Sequence, residues 1–200
     1  MNGLDVSDDV RLLVHPFAHY GAMRDAPALD ARRSAATRAL RVMITLGLFV
    51  SLTTTGRVVP AHLFGAMLSW SFAPLVQSVA VLAVARIFAL DSPRARVLDL
   101  YFAGHGPWLA FMWLGAGVVV LAPSPSAVFY FLLSNGVLPA LLLAALAHGA
   151  VLNVAMFRRG LGLSRGRTAA ATAVFYVFFA GQIVTYYLLN DTLQPQLGIR

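Results

Sequence analysis

Long apolar segments recur along this chain, and each approaches the roughly 20 residues that a helix needs to cross a bilayer. The segments dominate the composition: 59% of the residues are hydrophobic and only 12% are charged. The mean hydropathy is +0.75. A soluble domain carries roughly 25% charged residues, about twice this share. The sequence therefore predicts an all-α fold, a polytopic integral membrane bundle.

The apolar segments predict five transmembrane helices between a polar N-terminal tail (1–39) and a polar C-terminal tail (190–200). The spans cover about residues 40–55, 62–88, 107–122, 127–157 and 168–189. Pro74 predicts a kink in the second span, because proline removes one backbone hydrogen bond. The fourth span is long enough that it must tilt, bend at Pro139 or project from the bilayer.

The N-terminal tail contains one apolar segment, residues 10–23, whose spacing suits a short helix on the membrane surface. Pro16 is expected to kink or restart this helix. His15 and His19 are four residues apart, a spacing that can hold a metal ion. No acidic residue completes a motif with them, so we predict two interfacial histidines and no metal.

The charged connector between the second and third spans predicts a short amphipathic interfacial helix. Asp91 or Ser92 can cap it and Pro93 suits its first turn. Its polar side, with Arg96 and Asp99, is expected to face water. The side expected to face the bilayer holds four apolar residues: Val97, Leu98, Tyr101 and Phe102.

The arginines predict the orientation of the spans. All 15 basic residues are arginine, and 13 of them fall in or at the edge of the N-terminal tail and the second and fourth connectors, with Arg41 and Arg86 at the ends of the adjoining spans. Only Arg57 and Arg200 fall on the other side, so the positive-inside rule gives a cytoplasmic N-terminus and an outside C-terminus. A composition without lysine or glutamate and rich in alanine is typical of GC-rich bacterial genomes. We therefore expect a multi-pass protein of a bacterial cytoplasmic membrane.

Several function classes find no support in the sequence. The chain has no cysteine, hence no disulfide or thiolate site. No arginine cluster outside the spans is interleaved with stacking aromatics, which argues against nucleic-acid binding. Phosphate-loop, zinc-protease and nucleophile-elbow motifs are absent from the sequence. A haem site using His62, His105 and His148 is possible, but His62 and His105 are predicted near opposite faces, so these two cannot easily share one haem. We expect no enzyme, no cofactor and no metal.

The predicted spans contain a few strongly polar side chains. Such groups normally face the bundle interior and mark a substrate path, or they form hydrogen bonds between helices. Both alternatives stay open for the candidate cluster: Gln77, Asn135, His148, Asn153 and Gln182.

The predicted cytoplasmic connectors carry six arginines that are candidate contacts for anionic lipid headgroups or a partner. Each is worth roughly 1 kcal/mol near an anionic surface. They are Arg94, Arg96, Arg158, Arg159, Arg165 and Arg167. Small residues at helical spacing, such as Gly47 with Ser51 and Gly65 with Ser69, permit close helix packing within the chain or to a partner.

The chain resembles the YIP domain family, the Ypt/Rab-interacting membrane proteins and their bacterial relatives. The resemblance covers roughly residues 10–190 and lies in the five spans and four short motifs. These are His-Pro-Phe-x-x-Tyr at 15–20, Ala-Arg-Ile-Phe at 85–88, Gly-Pro at 106–107 and Gly-Leu-Ser-Arg-Gly-Arg at 162–167. It implies a five-helix bundle with a cytosolic N-terminus.

Eukaryotic members of that family act in membrane trafficking through GTPase partners and each other. Their Asp-Leu-Tyr-Gly-Pro type motif is missing here, since Phe102 follows Asp99-Leu100-Tyr101. The trafficking role is therefore not carried over, and the resemblance implies no catalytic residue. The sequence favours a non-enzymatic protein embedded in the lipid bilayer. It would scaffold or associate with other membrane proteins or with itself. The alternative is a small transporter or channel lined by the polar residues of spans two, four and five.

Overall fold

A computed structural model describes residues 6–25, 30–70, 72–121 and 131–197 of the protein, and these contain helices and turns but no strand. The connector 123–126 between the predicted third and fourth spans lies outside this range, and so does the start of the predicted fourth span. The α-helices are α1 (Val6–Val14), α2 (Pro16–Asp25), α3 (Ala31–Thr55), α4 (Pro60–Trp70), α5 (Phe72–Ile87), α6 (Arg94–Ala103), α7 (Gly106–Leu121), α8 (Val137–Ala155) and α9 (Arg165–Leu197). A π-turn, Met156–Gly160, follows α8 directly.

The helices α1 and α2 form an N-terminal helix pair that packs against α7, α8 and the π-turn. Pro16 restarts the helix, as the sequence predicts, because α1 ends at Val14 and α2 begins at Pro16. The pair is anchored by three side chains that are at most 1% exposed, Leu12, Tyr20 and Met23. Its outer side leaves four large apolar residues exposed: Val10, Leu13, Val14 and Phe17.

The first apolar helix, α3, is longer than the sequence predicts. It begins at Ala31 rather than near residue 40, so the polar segment before the predicted span is helical. It ends at Gly56, whose left-handed φ of 70° lets its N–H donate to the Leu52 carbonyl at 2.8 Å. Within this added segment, Arg38 is buried among carboxylates instead of standing at a polar boundary.

The connector helix α6 forms where the sequence predicts it, but its orientation differs. The prediction that Arg96 and Asp99 face water is wrong, because they are 8% and 4% exposed. The prediction that the apolar side faces the bilayer is also wrong, because Val97, Tyr101 and Phe102 are at most 6% exposed. The polar side packs against α3, where Arg38 supplies a partner for Asp99. The residue before the first helical turn is Pro93, and neither Asp91 nor Ser92 caps the helix with its side chain.

The predicted fourth span is interrupted before α8. The interruption lies at Asn135 and Gly136, where Gly136 has a left-handed φ of 70°, and not at Pro139. Pro139 lies in the first turn of α8, where its missing N–H costs no hydrogen bond. The last helix, α9, continues to Leu197, beyond the predicted end at 189.

Three helical segments of the described chain are long and apolar enough to cross a membrane, fewer than the five predicted. They are Ala31–Leu52, Pro60–Ile87 and Pro139–Gly160. The largest buried side chains cluster where α3, α5, α6 and the π-turn meet, around Leu100, Val84 and Phe157. This core lies at the same end of the bundle as the N-terminal helix pair, and it fixes the floor of the site described next.

Candidate functional site

A cavity of about 420 Å³ lies between α3, α5, α6, α7, α8 and α9. It brings together two of the predicted polar residues, Gln77 from α5 and Asn153 from α8. The two residues come from different predicted spans, and the fold places both in the lining of this cavity. The remaining walls are mostly aliphatic and aromatic, with Trp108, Met112 and Phe179 among them.

The other three predicted polar residues lie elsewhere. His148 Nε2 is 3.1 Å from the Leu13 carbonyl oxygen, so it contacts the N-terminal helix pair. The Asn135 side-chain amide donates to the Phe131 carbonyl at 2.9 Å, within the turn before α8. Gln182 does not line the cavity, and its enclosed Oε1 has no hydrogen-bond partner among the described residues. The five residues therefore do not form a single path.

His105, in the turn between α6 and α7, lines the cavity, whereas the sequence analysis considered it only as a haem ligand and not as part of the polar cluster. Its Nε2 is 3.1 Å from Gln77 Oε1, and its Nδ1 is 3.4 Å from the Tyr101 carbonyl oxygen. Burial lowers the pKa of His105 to about 4, against a small opposing effect of the Tyr101 carbonyl. The imidazole is therefore neutral at physiological pH and carries a single N–H.

Asn153 and Tyr176 form the second polar pair of the cavity. The Asn153 side-chain amide donates to the Tyr176 hydroxyl at 3.0 Å, joining α8 to α9. Tyr176 could not be found from polarity alone, because a tyrosine in an apolar helix is more often packed than functional. Its ring lies 5.4 Å from the ring of Phe175, the preceding residue on α9.

Below the cavity, a buried ion network joins α1, α2, α3 and α6. Arg38 lies between two carboxylates, 3.7 Å from Asp8 and 3.6 Å from Asp99. Asp8 is also 3.2 Å from His19, and Asp99 is 3.2 Å from Arg96. All five residues are buried. Two carboxylates therefore face two guanidinium groups, and each buried charge has a partner of opposite sign.

Two further contacts tie the N-terminal helix pair to the bundle. Arg96 donates to the Met23 carbonyl, and Arg41 pairs with Asp9. Burial is the largest effect on His19 and lowers its pKa, while the neighbouring Asp8 opposes that shift. His19 is thus a neutral partner of Asp8 near pH 7. The two histidines that the sequence predicts at the interface differ in the structure, since His15 is exposed while His19 is buried and directed to Asp8.

The six candidate arginines separate into two groups. Arg96 is buried in the ion network, Arg158 donates to the Leu163 carbonyl at 2.6 Å, and Arg167 donates to the Phe88 carbonyl. Arg94, Arg159 and Arg165 are exposed at the same end of the bundle. A lipid or a partner can reach the side chains of this second group directly, whereas binding to the first group would break the hydrogen bonds of Arg96, Arg158 and Arg167.

No known protein family, curated protein or solved structure matches this chain. The resemblance to the YIP domain family stays a prediction. Within the part of the chain that the structure describes, no three histidine or acidic side chains are grouped as metal ligands.

Proposed function

We propose that this protein is a non-enzymatic integral membrane protein that scaffolds other membrane proteins or copies of itself. Its proposed arrangement is the YIP-like one, with five spans, a cytoplasmic N-terminus and an outside C-terminus. α7 and α9 would supply the two spans that accompany the three long apolar segments. The N-terminal helix pair would then lie at the cytoplasmic interface, with its exposed apolar side toward the lipid.

One observation carries the scaffold proposal: α8 has an outward face of small residues. Ala140, Ala144 and Ala147 follow each other at helical spacing and are all exposed. Small residues let a second helix approach closely, which is how transmembrane helices associate in the absence of a hydrophobic driving force. By contrast, Gly47 on α3 already packs against α4 within the chain. The α8 face, unlike Gly47, is therefore open to another helix.

The absence of cysteine from the sequence allows a clean test of this face. An Ala144→Cys variant, oxidised in native membranes, is expected to cross-link either to itself or to a second protein identified by mass spectrometry. A second test position is Leu143→Cys, next to Ala144, where the native side chain is 67% exposed. If both positions give only monomer, and gentle purification recovers no stoichiometric partner, the scaffold proposal is wrong.

Anionic lipid is the second proposed contact, through the exposed Arg94, Arg159 and Arg165. Replacing these three with glutamine should weaken flotation of the purified protein with vesicles containing phosphatidylglycerol. The same change at Arg57, in the turn between α3 and α4, should have no comparable effect. Equal flotation of the triple variant and the unmodified protein would remove this part of the proposal.

A small transporter or channel is the alternative, and the cavity is the observation that favours it. Gln77 and Asn153 line that cavity from two different apolar segments, as a substrate path requires. In proteoliposomes, Gln77→Ala and Asn153→Ala should then lower the flux of a small neutral solute such as glycerol. His148→Ala, which lies outside the cavity, is the matched control.

A further inference from the structure

The cavity between α3, α5, α6, α7, α8 and α9 has the properties of a small-molecule site. Its volume of about 420 Å³ falls within the roughly 300–1,000 Å³ that is typical of ligand pockets. None of its described lining residues is an arginine or an aspartate, and its walls are apolar apart from a few polar groups. Those polar groups decide which ligand fits.

The first polar group is the amide of Gln77. A neutral imidazole has one N–H, and His105 has contacts of 3.1 Å from Nε2 to the Gln77 amide and of 3.4 Å from Nδ1 to the Tyr101 carbonyl. The Tyr101 carbonyl can only accept, so we place the N–H on Nδ1 and exchange the amide O and N of Gln77, whose N–H₂ then donates to Nε2. The second N–H of Gln77 is left as a donor beside the cavity, and its carbonyl oxygen as an acceptor.

The second polar group is the pair formed by Asn153 and Tyr176. The Asn153 amide nitrogen donates to the Tyr176 hydroxyl oxygen. The carbonyl oxygen of Asn153 is therefore available as an acceptor, and the hydroxyl hydrogen of Tyr176 as a donor. Together with Gln77, this pair offers two donors and two acceptors to a ligand, without a full charge.

The wall between α8 and α9 gives the cavity a side toward the surroundings. Leu146 and Tyr176 line the cavity and are also 60% and 36% exposed. The neighbouring outer surface of these two helices is apolar, with Leu143 67% and Val177 72% exposed. A molecule that reaches the cavity on this side comes from an apolar environment rather than from water.

We propose that this cavity binds one neutral single-chain lipid whose head group carries both hydroxyl and ester groups, as in a monoacylglycerol. The ester carbonyl accepts from Gln77, and the glycerol hydroxyls pair with Asn153 and Tyr176. The acyl chain lies against Trp108 and Phe179. A charged lipid is disfavoured because nothing in the lining balances a buried charge. A plain hydrocarbon is disfavoured because it leaves the polar groups unpaired. This site does not depend on the scaffold proposal.

Trp108 reports on the cavity directly, because it is one of the lining residues. The W70F/W113F variant retains Trp108 as its single tryptophan, and the W70F/W108F variant retains Trp113, which is 46% exposed and outside the cavity. Both are reconstituted in nanodiscs and titrated with a monoacylglycerol whose chain is dibrominated, since bromine quenches indole fluorescence on contact.

The expected result is saturable quenching of Trp108 at about one lipid per protein, while quenching of Trp113 rises in proportion to the lipid fraction. The brominated fatty acid at pH 8 and a brominated alkane should give only the proportional response at both positions. Proportional quenching of Trp108 by the monoacylglycerol, without saturation, would overturn the proposal. This measurement needs no substitution at the polar groups.

The polar groups are tested with Q77L/N153L in the single-Trp108 background. Loss of the hydrogen bonds should weaken the apparent affinity at least about tenfold. Leu141→Ala, outside the cavity, should leave it unchanged. Circular dichroism and size-exclusion chromatography verify that both variants fold. An unchanged affinity in a folded Q77L/N153L variant means that the chain alone selects the lipid, which contradicts the proposed head-group recognition.

Discussion

Arg38 shows how single residues hold the N-terminal helix pair on the bundle. Its guanidinium is within 4 Å of Asp8 on α1 and Asp99 on α6, and Nη1 lies 3.3 Å from the Asp99 carbonyl oxygen. A buried ion pair is weak evidence of net stabilisation, because removing two charges from water is costly. Removing one partner is different, since the remaining charges stay buried without compensation.

Arg38→Met should therefore destabilise the protein by about 3–5 kcal/mol. Methionine keeps most of the side-chain volume, so the loss reports the charge and not a cavity. The measurement is thermal unfolding in detergent followed by circular dichroism. The control is Arg32→Met on the same helix, where the arginine is exposed and the effect should be within about 0.5 kcal/mol. Equal effects at both positions would mean that the network contributes nothing specific.

His105 makes stability depend on pH in a defined direction. Its pKa is about 4 in the folded protein and about 6.5 when exposed. The unfolded state therefore binds the proton first as pH falls, and folding is penalised from pH 6.5 downward until both states are protonated near pH 4. The stabilising contribution is fully present above pH 6.5. His105→Gln should flatten the Tm profile between pH 7 and 4.5.

A residual slope is expected in His105→Gln, because burial also lowers the pKa of His19. The variant His15→Gln is the matched control, since His15 is exposed in the turn between α1 and α2. It should leave the profile as it is. If His105→Gln keeps the full pH dependence of the unmodified protein, the imidazole of His105 is not the group that titrates.

How far single residues can be predicted from sequence differs between the two sites. Gln77 and Asn153 stand out because strongly polar side chains are rare in apolar segments, and the cavity does contain them. The ion network gave no such signal. Asp8, Arg38 and Asp99 are far apart in the sequence, and each lies in a segment where charges are expected to be solvated. Only the folding of α1 and α6 onto α3 makes them partners.

At the scale of elements, α6 shows what a helical pattern predicts and what it does not. The sequence predicts Pro93 in the first helical turn, and the structure has it immediately before that turn, with the helix running from Arg94 to Ala103. The pattern of Arg96 and Asp99 opposite apolar residues predicts two faces, but it does not say what covers the polar one. In this fold α3 and α2 cover it, with Arg38 and the Met23 carbonyl as partners.

The α3–α4 hairpin depends on close approach at Gly47. A Cβ atom there would be 2.6 Å from Met67 Cγ and 2.9 Å from the Leu63 carbonyl oxygen. Because Leu63 O belongs to the backbone of α4, the two helices would have to separate. Gly47→Ala should therefore lower the stability by about 1–3 kcal/mol, as overpacking does, measured as a shift in Tm.

Gly65 on α4 is the matched control for this prediction. It is also a helical glycine, but nothing lies within 4 Å of a Cβ placed there. Gly65→Ala should be neutral or stabilise the helix by up to about 1 kcal/mol, because alanine has the higher helix propensity. Destabilisation at Gly65 equal to that at Gly47 would show that helix packing is not the cause.

At the scale of the whole molecule, the charged residues and the apolar helices occupy different parts of the fold. The ion network, the N-terminal helix pair and the exposed Arg94, Arg159 and Arg165 lie at one end. Arg57 lies at the other, in the turn between α3 and α4. This asymmetry is visible in the sequence as the arginine distribution. The number of spans is harder to predict, because α7 is only 16 residues long and α9 continues past its predicted end.

The orientation proposed for the bundle can be tested at two exposed turns. Val58, 51% exposed, lies in the α3–α4 turn, and Ser164, also exposed, lies between the π-turn and α9. Because the sequence contains no cysteine, Val58→Cys and Ser164→Cys each provide a single labelling site. Positive-inside orientation places Val58 outside and Ser164 in the cytoplasm. In intact cells an impermeant maleimide should label only Val58→Cys, and after permeabilisation it should label both. Labelling of Ser164→Cys alone in intact cells would reverse the orientation, and labelling of both would contradict a stable arrangement across the membrane.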